Sequence, residues 1–589
     1  MGLSYSYFKK KNFLPYCSLV LIGLMWTIPF LFPYHRYPIP SFYDELIAAV
    51  FGLIAFALFL QKRFSENIQF PRFGLAILGL IGLLVLQLIV GDIAYYQRSL
   101  LGILYLIWAL ALIITAHMLR KEVGLEKIAI TLSWFLVTGG VLSTIVTIMQ
   151  QYGIYKLFGV LIVMPKLVPS AYGNLGQPNL FADYICLTLV SLIYLQAMGK
   201  LHKIITILVG MLLLSILVLT ASRISLVFLV SIPLVAFIFY VRDKSVKNRT
   251  LLISTLLLIP GIVIAHFLIT LLPSNPSNEI LTIHDKVVTQ GIYRSTRLTL
   301  WREAWQMFLQ YPLLGIGFGQ FAWHHYLLLD SPLPEAIRIY GNAHNLLLQL
   351  LAEMGIVAAT LVVVFIALWL LSFFRQKLAI THWWIFTLLT ILALHSMVEF
   401  PLWYMFFLGI AAVLLGLGET HMNKLKISRI IQPLVIAYIV LGVLIIKDLA
   451  LNYRHIESMV FGANKAKNIS NEEALKILDR IHRESLLSPY IEYAYAQLIP
   501  YDRNHINEKL ALNYRIMHLT PGSHFAFQRG ILLALKGDFE AAQQELDRAS
   551  RNANYVLETG LFKLREVANK QDGEVTNLYR YVAKRLCSP

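Results

Sequence analysis

Ile339-Tyr340-Gly341-Asn342-Ala343-His344-Asn345-Leu346 is a small polar cluster that opens onto an apolar run reaching residue 371. A helix needs about 20 mostly apolar residues to cross a bilayer, and this run exceeds that. The chain is therefore read outward from a membrane span whose mouth carries a histidine between two asparagines. Hydrogen-bonding and ionisable groups are costly there, so by default they point to function.

The rest of the composition agrees. Hydrophobic residues make up 58% of the 589 residues and charged ones 14%, and the mean hydropathy is +0.65, far more apolar than a soluble domain. Apolar runs fall near 14–32, 44–60, 73–91, 98–117, 128–150, 178–197, 202–220, 223–241, 250–272, 344–371, 382–399, 401–419 and 430–447. The expected fold is an all-α polytopic membrane helical bundle of about 13 transmembrane helices. Its four segments are 1–272, N-terminal transmembrane helices; 273–343, an outside loop; 344–450, C-terminal transmembrane helices; and 451–589, a soluble helical domain.

A net charge of +17 could indicate nucleic acid, but the Lys and Arg residues cluster in short loops between the runs. Lys62 and Arg63, Arg120 and Lys121, Lys200 and Lys203, Arg242 to Arg249, Arg375 and Lys377, then Lys424, Lys426 and Arg429 fall on one side. Only isolated cations such as Arg36 and Arg98 fall on the other. The charge reads as topology with cytoplasmic basic loops, not as a nucleic-acid surface. Lys9, Lys10 and Lys11 precede the first run without a small-residue cleavage site, so that run is expected to be an uncleaved helix. Cys17 and Cys186 lie inside apolar runs and Cys587 in the tail, which makes neither a disulfide framework nor a cysteine metal site.

Two segments break the alternation. In the outside loop, Leu298, Trp301, Trp305 and Phe308 recur at helical spacing beside Arg294, Arg297 and Arg302, the pattern of an amphipathic helix at the membrane interface. The tail reads as paired amphipathic helices, and Ala534-Leu535-Lys536-Gly537-Asp538-Phe539-Glu540-Ala541-Ala542 resembles a tetratricopeptide-like (TPR-like) junction. Gly315-Ile316-Gly317-Phe318-Gly319 imitates a nucleotide loop but follows no strand, so a turn is expected; His324 and His325 beside it read as solvated loop residues.

Polar residues gather at the outside ends of spans. Gln177-Pro178-Asn179 opens one helix, where it either caps the first turn or faces an anion, with Asp183 toward the bundle. Ser222-Arg223 lies in a tight hairpin, where Arg223 is either an interface arginine or a phosphate ligand. His395 and Glu399 stand four apart, as for a hydrogen-bonded pair or, with less support, two metal ligands.

Taken together, Gly176-Gln177-Pro178-Asn179 with Ala182, Ser222-Arg223, Arg297 with Trp301, Asn342-Ala343-His344-Asn345 with Glu353-Met354-Gly355, and His395-Ser396 with Glu399, Pro401, Leu402 and Trp403 resemble the bacterial PglL-type protein O-oligosaccharyltransferases. These belong to a superfamily with the O-antigen ligases and Wzy-type polymerases. The resemblance spans about residues 165–420, and the tail is similar to the carboxyl-terminal domain of the PglL-type branch.

The resemblance implies a glycosyltransferase of the bacterial inner membrane, with its site, loop and TPR-like tail in the periplasm. It would move a preassembled glycan en bloc from an undecaprenyl diphosphate-linked oligosaccharide to Ser or Thr of a periplasmic, pilin-like acceptor protein. Arg223 and Arg297 would hold the diphosphate, since a guanidinium fork stays charged and matches phosphate oxygens. His344 would orient or deprotonate the acceptor hydroxyl, or hold the diphosphate, with Asn342 or Asn345 fixing its ring. Gln177, Asn179, His395 and Glu399 would position the donor. No cofactor is expected. No Asp-x-Asp pair or aromatic-Asp-Tyr-Gly stretch occurs in the outside loops, so metal-independent transfer is expected, with arginines in place of a divalent cation. An O-antigen ligase, a Wzy-type polymerase and a membrane transporter remain the alternatives.

Overall fold

The computed structural model describes residues 13–60, 68–164, 170–271, 282–285, 296–328, 339–425, 431–460, 476, 478–479, 485–550, 554–570 and 573–586. Lys9 to Lys11, Lys62, Arg63, Arg294, Lys426, Arg429 and Cys587 lie outside the described residues.

The protein is an all-α polytopic membrane protein. Among the described residues, ten helices are long and apolar enough to cross a membrane, from Phe13–Leu31 to Gln432–Glu457. Three shorter apolar helices, Lys203–Leu219, Ile380–Ser396 and Met405–Gly418, occupy the remaining expected runs. Each of those runs is thus a helix, because a continuous apolar segment can satisfy its own backbone in lipid only by coiling. The described β structure is one antiparallel pair, Ile68–Pro71 with Met422–Leu425, in register Ile68 to Leu425.

Contacts divide the chain into two compact units. The first comprises Met1–Leu78, Tyr105–Arg294 and Val363–Ile446. Its centre is the helix Pro178–Ala197, in which every residue from Leu180 to Leu195 is buried. A helix apolar on all sides belongs in an interior, and its few hydroxyls bond locally or to neighbours. Thr188 donates to the Tyr184 and Leu136 carbonyls, and Trp384 donates to Ser191 at 3.0 Å. The neighbouring helix Leu125–Gln151 comes close because it presents glycine: a Cβ on Gly140 would lie 2.3 Å from the Thr188 hydroxyl.

The second unit comprises Gly79–Leu104, Ser295–Val362 and Lys447–Pro589. Here the helix Leu346–Arg375 is broken at Gly355, whose φ of 73° and ψ of −173° only glycine adopts readily. The turn at Gly315 to Gly319, all three glycines at positive φ, uses the freed groups. Ile316 and Gly317 donate to the carbonyls of Ala352 and Glu353, and Ile356 donates to Pro312. The Gln87 amide donates to Leu314 and Glu353 and accepts from Phe318, while Arg98 donates to Gly319 at 2.5 Å. Arg98, read as an isolated loop cation, is thus a structural ligand of this turn.

A Cβ on Gly355 would lie 2.1 Å from the Leu313 carbonyl oxygen. Gly355→Ala is therefore expected to destabilise the protein by about 2–4 kcal/mol through strain and backbone collision. Thermal unfolding of the detergent-purified protein tests this, and an unchanged melting temperature would contradict it.

The tail forms successive packed helices, Ser488–Leu498, Ile506–Leu519, Ser523–Lys536, Phe539–Ser550, Asn554–Lys570 and Glu574–Leu586. At the expected junction, Gly537 ends one helix at φ 96° with its N–H on Leu533 and Ala534, and Asp538 caps the next by accepting from Ala541. Phe525, Phe527, Ile531, Leu546, Leu564 and Leu578 belong to its buried core.

Candidate functional site

In the first unit, three motifs distant in sequence meet on Asn179. Its amide NH2 donates to Glu399 Oε1 at 3.0 Å, and its amide oxygen accepts from the Ser222 hydroxyl at 2.8 Å. Opposite ends of one amide are matched to a donor and an acceptor, which leaves its orientation no freedom. One turn further along the same helix, Asp183 Oδ2 lies 2.9 Å from His395 Nδ1, and both side chains are fully buried.

Gln177 is the N-cap of that helix, accepting from the Leu180 N–H at 2.5 Å, so the capping reading holds for Gln177. Pro178 at the first helical position removes an N–H that would have needed a partner. Arg223 is half-buried at the start of helix Ile224–Arg242, two residues after Ala221. Ala221 has φ 52°, a left-handed conformation uncommon for a residue with a side chain.

The expected His395–Glu399 pair is not formed. The helix Ile380–Ser396 ends between the two residues, and although the Glu399 N–H still donates to the His395 carbonyl at 2.8 Å, the side chains take separate partners. His395 turns to Asp183 and Glu399 to Asn179. Removing either member of the buried Asp183–His395 pair leaves the other polar group in an apolar interior. Asp183→Ala and His395→Ala are each expected to cost about 3–5 kcal/mol. A double-mutant cycle on thermal stability checks the coupling, and strictly additive losses would show that the two groups are independent.

The second unit holds the other residues. The expected amphipathic segment is a helix, Thr296–Gln310, with Arg297 half-buried in its first turn. Its packed face carries Leu300, Ala304 and Met307, which share a core with Phe321, Ala343 and Ala352. Leu298 and Trp305 are exposed. That one core ties the Arg297 helix to the segment carrying His344.

His344 itself has φ 52°. Its N–H donates to Asn342 Oδ1 at 3.1 Å, and its Nδ1 lies 3.3 Å from the Asn342 carbonyl oxygen. Tyr340 meets the ring edge to face at 5.6 Å. Gln349 secures the preceding Ala343 N–H at 2.7 Å. Asn345 does not hold the ring by a described bond; its oxygen caps the following helix through the Leu348 N–H. Asn342 thus contacts His344 through both its side chain and its carbonyl, and Asn345 caps the helix that follows.

His325 is not solvated, and His324 is half-buried. They belong to helix Phe321–Leu328, where His325 is fully buried with Nδ1 2.6 Å from Glu303 Oε2. Burial, helped by the His518 charge, pushes His324 down to about 4. Tyr326 donates to Glu545 of the tail at 2.5 Å, and Trp323 stacks on His518 at 4.4 Å. Glu303 is thus a polar anchor that the sequence left unassigned and His325 one that it placed in solvent, whereas Asp183 is buried in the bundle as expected. The one local hint is Phe321 at four residues before His325, an apolar partner for the ring.

Three family models match the chain in order: "Protein glycosylation ligase" over 171–195, "O-Antigen ligase" over 208–363, and "Virulence factor membrane-bound polymerase, C-terminal" over 383–555. A general O-oligosaccharyltransferase of Acinetobacter baylyi is 24% identical over 78% of this chain and 80% of that protein. The ComP-specific O-oligosaccharyltransferase of the same organism is also 24% identical, over 72% of this chain and 74% of its own length. The resemblance to the PglL-type branch holds. Each PglL-type motif lies inside a matched region: Gly176 to Asn179 with Ala182 in the first, Ser222-Arg223, Arg297 and Asn342 to Gly355 in the second, and His395 to Trp403 in the third.

Proposed function

We propose that the protein is an O-oligosaccharyltransferase of the bacterial inner membrane. It transfers a preassembled glycan from undecaprenyl diphosphate to Ser or Thr of a periplasmic acceptor such as a pilin. The observation that carries this reading is the Ser222–Asn179–Glu399 chain, which joins three motifs of the PglL-type pattern in one hydrogen-bonded set.

In the reaction, an acceptor oxygen bonds to the anomeric carbon, the bond from that carbon to the diphosphate oxygen breaks, and the diphosphate leaves with the electron pair. The hydroxyl proton must go to a base. His344 fits if Nδ1–H donates to the Asn342 carbonyl, since Nε2 then carries the lone pair. Arg297 and Arg223 supply fixed positive charge for the leaving diphosphate. The Asn179 set and the Asp183–His395 pair position the donor end, and the TPR-like tail supports acceptor recognition.

Reconstitution in proteoliposomes with an undecaprenyl diphosphate-linked oligosaccharide and a serine-containing pilin tests the reading by intact mass of the acceptor. A mass increase of one whole glycan is expected, and it should persist after thorough chelation. Loss on chelation restored by Mg or Mn would remove the metal-independent part.

The "O-Antigen ligase" match over 208–363 favours a second reading, transfer of the same donor to a lipid A-core sugar. Supplying both acceptors together separates the two. Glycosylated lipid with unmodified pilin would replace the protein-directed reading.

A further inference from the structure

Within the first unit, residues 33–44, 155–164, 175–180 and the start of helix Met405–Gly418 line a half-open cavity of about 880 Å³. That is the size range of sites that enclose a small-molecule ligand. Its wall includes the rings of Tyr34, Tyr37, Tyr155 and Tyr404, and also Gln177, whose oxygen is already used as the helix cap. The Gln177 NH2 is thereby left as the donor at the wall.

The informative group is Asp44. It lines the cavity yet is only 2% exposed, and its Oδ1 has no hydrogen-bond partner among the described residues. Its other oxygen lies 3.5 Å from His35 Nδ1. The adjacent Glu45 is treated differently by the fold, receiving hydroxyls from Ser41 at 2.5 Å and from Tyr105. A buried acceptor without a donor is unfavourable, and such exceptions mark places where another molecule supplies the missing group.

The chemistry narrows what that molecule is. A lipid chain has no donor to offer. A fully ionised diphosphate carries only acceptors and would meet a carboxylate, even with Arg36 and Lys156 on the wall. A pyranose offers hydroxyl donors on its rim and an apolar C–H face for tyrosine rings. We infer that this cavity is a saccharide subsite that takes a sugar unit of the transferred glycan, through Asp44, Gln177 and the tyrosine rings. The assignment of the sugar to the donor glycan rests on the function proposed above.

The test is saturation-transfer-difference NMR on the full-length protein in lipid nanodiscs, with N,N′-diacetylchitobiose and lactose as probes and inorganic pyrophosphate as competitor. Transfer to the ring protons of at least one disaccharide is expected, undisturbed by pyrophosphate. Asp44→Asn and Tyr155→Ala should each weaken the affinity about tenfold. Should the buried Asp44→Asn variant fail to fold, Tyr155→Ala on the outer wall decides alone. Absence of transfer to either disaccharide, unchanged binding in the variants, or displacement by pyrophosphate would each overturn the subsite. The readout needs no turnover, so a chain that binds these sugars but transfers no glycan would sink the proposed function and leave the subsite standing.

Discussion

His344→Ala is expected to leave the protein folded and inserted while lowering glycan transfer by about 10²- to 10⁴-fold, the usual contribution of a positioned general base. The side chain is half-buried, so its removal should cost little stability. Its backbone, by contrast, sits at φ 52°, where most residues with a side chain are strained. That conformation is held by Asn342 on the His344 N–H and by Gln349 on the residue before it. A strained residue with two dedicated restraints is the pattern expected when one ring must point in one direction.

The pH dependence separates the two chemistries open to this ring. A base must be neutral to accept a proton, so kcat/KM should rise with pH as the imidazole loses its proton. A diphosphate ligand must be charged, and kcat/KM would fall over the same range. We expect the rising limb in the wild type and its disappearance in His344→Ala. A falling limb would reassign His344 to the diphosphate.

Arg297→Ala is expected to lower transfer by about 10²- to 10³-fold, as for removal of one preorganised group facing charge that develops in a transition state. Arg297→Lys should recover part of this loss and not all, because an ammonium keeps the charge and loses the planar fork. Leu300, Ala304 and Met307 pack the helix on a shared core. Measured at saturating donor, the deficit should appear in kcat. A change confined to KM would show that Arg297 binds the ground state only.

Much of this architecture was legible from residue types. Runs such as 178–197 and 344–371 are helices because lipid leaves a spanning backbone no other partner, a constraint independent of neighbouring helices. The Gln177 cap, the Gly537 to Asp538 junction and the glycine turn at 315–319 were readable for the same reason: each is settled within a few residues. The amphipathic loop helix was read correctly as a helix. Which face packs was not, since Leu300 and Met307 and the exposed Leu298 and Trp305 are similarly apolar.

The sequence by itself determined the helices, the apolar spans and the set of motifs, because hydropathy, capping and turn chemistry act over one or two turns of chain. Only the tertiary structure decided the partners. His395 meets Asp183 across 212 residues, Asn179 meets Glu399 across 220, and His325 meets Glu303 across a turn. The four-residue rule that paired His395 with Glu399 sets only their spacing along one turn, and the regular helix stops at Ser396. Once it stops, a buried polar group bonds to whatever the packing of other helices brings within about 3 Å, and that proximity leaves no local mark in the chain.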